Sequence, residues 1–230
     1  MKRWPKPRGA EACACVKRNC IMVPVQFITH SVPGISHERS GELALEGGCR
    51  WIQLRMKGFS DDEVEPVARR LLKACRNVGT TFILDDRVEL AQKIGADGVH
   101  LGQKDMPVDE ARRMLGEGMI IGGTANTLEE VRELKRRSAD YVGCGPLRFT
   151  TTKENLAPML GFEGLRQIVT GMHAEELRIP LVAIGGVELD DVAALLECGV
   201  SGVAVSGAIL RAMDPVEMMR RFLDADVHPV

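Results

Sequence analysis

The sequence predicts an α/β protein, a (β/α)8 TIM barrel in a single domain with an N-terminal tail. From residue 23 onward, eight short apolar segments alternate with eight amphipathic helical segments. The short segments are apolar on both faces, which is typical of parallel strands covered by helices. Eight such repeats over roughly 200 residues fit a small closed barrel. A doubly wound open sheet is the alternative, and it is disfavoured because no GxGxxG motif follows the first strand.

The strands and helices follow one another in strict alternation. Strands are predicted at residues 25–29, 51–55, 81–84, 98–101, 119–122, 139–142, 181–184 and 202–205. Helices are predicted at residues 37–47, from Ser60 to Cys75, and at 88–94, 107–115, 127–137, 162–172, 189–198 and 215–223. Ser60 and Thr127 each precede an acidic residue by three positions, which is the spacing of a capping box. Gly95 and Gly199 fit the left-handed position that ends a helix.

Composition excludes several classes of protein. The net charge of -2 over 230 residues and the 4% aromatic content give no basis for nucleic-acid binding. No apolar run is long enough to span a membrane. The seven cysteines form no CxxC pair, which indicates reduced thiols in the cytoplasm. Small molecules are therefore the expected partners, and a homo-oligomer remains open.

Residues 1–22 differ from the rest of the chain. They contain six basic residues and one acidic residue, and they lack the apolar core of a secretory signal. We expect a disordered basic tail over 1–22 and a catalytic barrel domain over 23–230. Met22 immediately precedes the first strand, so we hypothesise that translation starts there. An N-terminus at Met1, found by mass spectrometry of the natively expressed protein, would refute this.

A glycine-rich run suggests an anion site. The segment 143–153, GCGPLRFTTTK, follows the sixth predicted strand. Glycines let backbone N–H groups approach a phosphate, and the hydroxyls of Thr150, Thr151 and Thr152 and the ammonium of Lys153 follow at once. A polar surface loop is the alternative interpretation.

Polar residues also end the second, third and fourth strands. Alternation directs Gln53, Arg55 and Lys57 to one side, which suits an anionic ligand that carries nitrogen; a solvated strand end is the alternative. Asp86 and Asp105 follow neighbouring strands and form a plausible Mg²⁺ pair. Asp85 or Asp86 could instead cap the next helix. For His100, a packing role is favoured over that of a catalytic base.

The remaining strand ends carry glycines and hydroxyls. Gly122-Gly123-Thr124 ends the fifth strand, Gly185-Gly186 the seventh, and Ser206-Gly207 opens a short helix after the eighth. Loops after strands 7 and 8 commonly hold a phosphate in this fold. Two anion sites and a carboxylate pair suit the joining of a pyrophosphate ester to a phosphorylated acceptor.

From about Val25 to Leu223 the chain resembles the thiamine phosphate synthase family. The segments that carry the resemblance are QLRMK at 53–57, DDRVELA at 85–91, GVHLGQKD at 98–105, ADYVGCGP at 139–146, TTTK at 150–153 and IGG at 184–186. The resemblance implies a barrel enzyme that condenses hydroxymethylpyrimidine diphosphate with a thiazole phosphate and releases pyrophosphate.

The resemblance also implies roles for individual residues. Gln53, Arg55 and Lys57 match contacts to the pyrimidine diphosphate, with Asp85 beside them. Asp86 and Asp105 match Mg²⁺ ligands. Thr124 and Lys153 match pyrophosphate contacts, and Arg55, Lys57, Thr124 and Lys153 form the catalytic set. The thiazole phosphate contacts are matched by Thr150, Thr151, Thr152, Gly186, Ser206 and Gly207.

Two positions depart from the family pattern. Asp85 stands where the family usually has Asn, and an additional carboxylate should repel a diphosphate. Asn126 stands where many members and the related thiazole tautomerase have His, so a tautomerase is disfavoured. A non-catalytic binder of thiamine-pathway phosphates is the other alternative. Such a binder would not need the leaving-group residues Asp86, Asp105 and Lys153.

Overall fold

The fold is a closed barrel of eight parallel strands. The computed structural model describes residues 25–149 and 159–225. The strands are β1 (Val25–Ile28), β2 (Trp51–Leu54), β3 (Thr81–Asp85), β4 (Gly98–Leu101), β5 (Ile120–Ala125), β6 (Tyr141–Cys144), β7 (Leu181–Ile184) and β8 (Gly202–Val205). Each strand pairs with the next in the chain, and β8 closes on β1. The predicted (β/α)8 barrel is confirmed, and the open sheet is ruled out.

Helices cover the outside of the barrel. They are α1 (His37–Glu46), α2 (Asp61–Asn77), α3 (Val88–Ile94), α4 (Val108–Leu115), α5 (Leu128–Arg136), α6 (Gly161–Ala174), α7 (Val192–Glu197), α8 (Gly207–Leu210) and α9 (Pro215–Leu223). A 3-10 turn at Leu189–Asp191 leads into α7. Thr127 and Glu130 form the predicted capping box, and Gly95 and Gly199 have the predicted positive φ. In the described parts of the chain, every helix is too short or too polar to cross a bilayer.

Strands β5 and β6 reach further toward the carboxyl side than the sequence predicts. Thr124 lies opposite Gly143, and Ala125 lies opposite Cys144, so backbone pairing continues where the apolar pattern stops. Glycine has no side chain to show which face it occupies, and the sequence pattern therefore ends too early. As a result, Gly143 and Cys144 belong to the sheet and not to the following loop, and Thr124 stands on a strand.

Alternation along the strands separates two apolar layers. Outward-facing residues pack against the helices, while a smaller group fills the barrel: Ile28, Trp51, Ile83, Ile120, Tyr141, Val182 and Ala204. Polar side chains share this interior, among them the buried Gln26, Gln53 and His100. The interior of the barrel is therefore partly apolar and partly polar.

Gly122 makes room for the ring of Tyr141. A Cβ atom at Gly122 would lie 2.1 Å from Tyr141 Cζ, inside van der Waals contact. Gly122→Ala should therefore lower the free energy of unfolding by about 1–3 kcal/mol, because neither the ring nor the backbone can move away without strain. Gly164→Ala on α6, where Leu160 Cβ would be 3.1 Å away, is the control and should change stability by less than about 1 kcal/mol. Urea unfolding measures both, and equal effects would contradict the prediction.

Candidate active site

The ammonium of Lys57 lies among three carboxylates at the carboxyl end of the barrel. Lys57 Nζ is hydrogen-bonded to Asp86 and lies 3.5 Å from Asp85 Oδ2 and 3.6 Å from Asp105 Oδ1. Arg55 Nε lies 3.6 Å from the same oxygen of Asp85. Because β2, β3 and β4 are neighbours, the ends of these strands converge. The structure thus brings together five of the predicted site residues.

Local contacts hold the carboxylates in place. Asp86 has a φ of 60°, in the left-handed region, and its N–H donates to His100 O at 2.9 Å. Asp105 Oδ2 accepts from Gly102 N–H at 2.7 Å. The residue at the start of α3 is Arg87, which makes no side-chain cap. Asp85 and Asp86 therefore serve the cluster, and the alternative in which one of them caps α3 is not observed.

Arg87 was not singled out from the sequence, although it stabilises the loop that carries Lys57. Its guanidinium donates to the carbonyl oxygens of Met56 and Phe59 and pairs with Asp61. These contacts tie the loop after β2 to the turn after β3. A surface arginine gives no sequence signal for such a role.

Burial and charge shift the pKa values in the cluster. Burial raises the pKa of Asp85 to about 6, with Lys57 and Arg55 opposing the shift and Asp86 and Asp105 adding to it. Burial lowers the pKa of Lys57, but the charges of the three carboxylates outweigh it, so the net shift is upward. The carboxyl group of Asp85 therefore ionises less readily than that of an ordinary aspartate.

Asp85→Asn should stabilise the protein in neutral and alkaline metal-free buffer. A carboxyl with a folded-state pKa of about 6, above its unfolded value near 3.8, contributes stability that is complete at low pH and is lost as the pH rises through 6. The gain on substitution should approach about 3 kcal/mol at pH 8 and be smaller at pH 4.5. Urea unfolding at both pH values is the measurement, and a gain that does not grow with pH would contradict it.

The donor set of the cluster fits Mg²⁺. Asp86 and Asp105 both reach one ammonium, so a single small cation can lie between them. Among residues 25–149 and 159–225, no group of three or more His, Cys, Asp or Glu side chains is arranged to hold a metal. One or two carboxylates, completed by phosphate oxygens and water, are the usual donor set for Mg²⁺.

Two buried polar atoms face the barrel interior without a partner in the described residues. They are Gln53 Nε2 and Ser206 Oγ. Gln53 is 2% exposed. An unpaired buried amide is costly, so a ligand acceptor is the natural partner for it. Both atoms belong to residues that the sequence predicted as substrate contacts.

His100 belongs to a polar network inside the barrel. Its Nδ1 lies 2.8 Å from the Tyr141 hydroxyl and its Nε2 lies 2.9 Å from Thr124 Oγ1. Both ring nitrogens of His100 therefore contact hydroxyl groups on β5 and β6. Tyr141 could not be singled out from the sequence, because an aromatic residue in a strand is ordinarily part of the core.

The loop after β1 adds an aromatic wall beside Arg55. The rings of His30 and His37 lie 6.2 Å apart, and Phe59 lies 6.0 Å from His37, both edge to face. Burial, the charge of Arg55 and, for His37, the neighbouring histidine lower the pKa values of both histidines. No local pattern predicts this wall, because His30 follows β1, His37 begins α1 and Phe59 follows β2.

The loops after β7 and β8 form the second candidate anion site. Gly185 and Gly186 have φ values of 88° and 71°. Ile184 on β7 lies opposite Ala204 on β8, and Gly186 and Ser206 follow directly after the ends of these two neighbouring strands. Gly207 begins the single turn of α8. Thr150, Thr151 and Thr152, predicted for this site, and Lys153, predicted to contact the pyrophosphate, lie outside the described residues.

An ion pair missed by the sequence analysis supports this second site. The guanidinium of Arg148 forms two hydrogen bonds with the carboxylate of Asp191 and donates to Gly186 O at 3.2 Å. Arg148 N–H also donates to Gly185 O at 2.9 Å. The segment after β6 is thus fixed along the glycine pair. The two charges are 43 positions apart in the chain, and no local pattern joins them.

Asn126 joins the loops after β4, β5 and β6. Its amide donates to Gly145 O and accepts from Gln103 Nε2 at 3.0 Å. Its backbone N–H donates to Glu130 at 2.6 Å. The Asn126 side chain therefore holds the loops after β4 and β6 together.

Comparison with known proteins agrees with this geometry. Residues 25–209 match the family model described as thiamine monophosphate synthase. The thiamine-phosphate synthase of Bacteroides fragilis is 56% identical over 203 residues, covering 88% of this chain and 100% of that protein. That of Phocaeicola vulgatus is 54% identical over 202 residues, covering 88% and 97%. The solved thiamine phosphate pyrophosphorylase from Pyrococcus furiosus superposes with a TM-score of 0.77 at 34% identity, covering 88% of this chain and 95% of that one. The chain belongs to the thiamine monophosphate synthase family.

Proposed function

We propose that this chain condenses 4-amino-2-methyl-5-hydroxymethylpyrimidine diphosphate with a thiazole phosphate to give thiamine phosphate and pyrophosphate. Membership of the family makes it a transferase of thiamine biosynthesis. The observation that carries the finer proposal is the cluster of Lys57, Arg55 and three carboxylates at one end of the barrel. A leaving diphosphate needs such cations, and its metal ion needs such carboxylates.

The reaction requires the protein mainly to bind and orient the two substrates and to neutralise the charge of the leaving diphosphate. The C–O bond to the diphosphate breaks with its electron pair on oxygen, and the lone pair of the thiazole nitrogen forms the new C–N bond. The aminopyrimidine can stabilise the developing cation, so little acid–base work is required. Arg55, Lys57, Thr124 and Lys153 would hold the leaving group, and Gln53 would orient the pyrimidine.

The thiazole phosphate would occupy the second site. Gly186, Ser206 and Gly207 supply the open backbone and the unpaired hydroxyl there, and Thr150, Thr151 and Thr152 would add hydroxyl donors. Asp86 and Asp105 would hold Mg²⁺. When bound, that ion supplies charge neutralisation of the diphosphate.

The alternatives are less well supported. A tautomerase moves no diphosphate and would not need the Lys57 cluster, and the amide of Asn126 is held between two loops. A silent binder of phosphates would need the glycine pair after β7 but not the carboxylates. We also assign the reaction to the cytoplasm, supported by the free thiols of Cys49, Cys75, Cys144 and Cys198.

Pyrophosphate release tests the proposal. The purified protein is mixed with both substrates, with each substrate alone, and with both in the presence of a chelator. Release that requires both substrates and Mg²⁺, together with formation of thiamine phosphate, is the expected result. Binding of thiazole phosphate without any release would favour the tautomerase or the silent binder.

A further inference from the structure

A line of four hydrogen-bonded side chains crosses the barrel interior beside the ion cluster. Gln26 Nε2 donates to the Tyr141 hydroxyl oxygen at 3.2 Å. That hydroxyl lies 2.8 Å from His100 Nδ1, and His100 Nε2 lies 2.9 Å from Thr124 Oγ1. Gln26, Tyr141 and His100 are buried, whereas Thr124 is partly exposed. The line therefore runs from the closed interior to the mouth of the site.

One set of proton positions satisfies all three contacts along this line. In it, the Tyr141 oxygen accepts from Gln26 and the phenol proton is donated to His100 Nδ1. A neutral imidazole that accepts at Nδ1 carries its proton on Nε2 and therefore donates to Thr124 Oγ1. The proton of Thr124 then points away from His100. Burial raises the pKa of Tyr141, so the phenol keeps its proton.

The packing preserves this arrangement. A Cβ atom at Gly122 would lie 2.5 Å from the Tyr141 hydroxyl oxygen, and one at Gly143 would lie 3.0 Å from His100 Cε1. Both positions are glycine, so the two rings keep their places. His100 lies opposite Asp85 on β3 and opposite Gly122 on β5. Thr124, two residues beyond Gly122, is one layer nearer the mouth.

We propose that Tyr141 is a positioning residue which, through His100, holds the Thr124 hydroxyl as a hydrogen-bond donor toward the leaving diphosphate. The inference rests on the proposed function, in which Thr124 contacts that group. Negative charge grows on the diphosphate as its C–O bond breaks, and a fixed donor stabilises it without reorganisation. If the Thr124 hydroxyl donated its proton to His100 instead, only an oxygen lone pair would face the diphosphate, and it would repel the growing negative charge.

The tautomer of His100 tests the first half of the proposal without any turnover. The protein is labelled with ¹⁵N-histidine, and the His100→Gln variant identifies the signals of His100 among those of the five histidines. We expect a neutral ring with its proton on Nε2 and an accepting Nδ1. A proton on Nδ1, or a doubly protonated ring, would overturn the proposal even if the protein proves to be the synthase.

A double-mutant cycle tests the second half. Tyr141→Phe should lower kcat/KM for pyrophosphate release about tenfold in the native background. In the Thr124→Val background, where no hydroxyl remains to be held, the same change should cost less than about twofold. Equal losses in both backgrounds would show a general structural role and overturn the proposal. Thr124→Ser keeps the hydroxyl and should restore the full effect of Tyr141→Phe.

A second variant covers the case in which Tyr141→Phe fails to fold. Gln26→Leu keeps the phenol but removes the hydrogen bond that orients the Tyr141 hydroxyl toward His100. The loss in kcat/KM should again disappear in the Thr124→Val background, and persistence there would overturn the proposal. Absence of pyrophosphate release by the native protein would refute the proposed function, while the ¹⁵N measurement would still report on His100.

Discussion

Lys57→Met should reduce the rate of pyrophosphate release by about 10²–10³-fold, the effect expected when one preorganised donor to a developing charge is lost. The ammonium of Lys57 is shared by Asp85, Asp86 and Asp105. Its removal takes a cation from the leaving group and leaves three carboxylates close together. Steady-state release with both substrates and saturating Mg²⁺ is the measurement.

The same variant should lose stability in a pH-dependent way. Burial already holds the pKa of Asp85 at about 6, and without Lys57 one of the two charges that oppose this shift is gone. The loss in free energy of unfolding should therefore be larger at pH 8 than at pH 4.5, where Asp85 is mostly protonated. Lys73→Met, on the exposed side of α2, is the control and should change neither rate nor stability appreciably. Near-native release by Lys57→Met would remove Lys57 from the leaving-group site.

Asp86→Asn and Asp105→Asn should each raise the Mg²⁺ concentration for half-maximal rate at least tenfold, since even loss of a residue outside the metal's own ligands costs about 10–100-fold. Both carboxylates reach the same ammonium, so both can reach one ion. Asn is the suitable replacement at position 86, because it tolerates the left-handed backbone with φ of 60°. A Mg²⁺ titration of pyrophosphate release measures the shift.

A matched control separates metal binding from loss of surface charge. Asp62 lies in the first turn of α2 and is exposed, so Asp62→Asn serves as this control. It removes the same charge and should leave the titration unchanged. Unchanged titrations for both Asp86→Asn and Asp105→Asn would exclude this pair as the metal site. A shift in only one of them would assign the ion to that carboxylate.

Much of the barrel could be predicted from local pattern. β4, β7 and β8 begin and end at the predicted residues, because their apolar runs coincide with their paired backbone. The predicted carboxyl ends of β5 and β6 were wrong, because Gly122, Gly123 and Gly143 interrupt the apolar pattern without interrupting the backbone pairing between the strands. Because glycine has no side chain, it does not show which face of a strand points toward the core.

The sequence by itself determined the fold class and the family, and it predicted which strand ends carry the candidate site. Each of these depends on residues that are close together in the chain: alternation places Gln53, Arg55 and Lys57 on one side, and a short motif carries Asp85 and Asp86. Such signals can be read without knowing which elements are neighbours.

Only the tertiary structure decided which of these groups form ion pairs or hydrogen bonds with one another. Lys57 lies next to Asp105, which is 48 positions later in the chain, and Arg148 pairs with Asp191. Tyr141 contacts both Gln26 and His100. Closing the barrel brings these side chains within hydrogen-bond distance and removes water around them, and that burial raises the pKa of Asp85. Such partnerships depend on distance and desolvation in three dimensions, and neither quantity is encoded in any local pattern of residues.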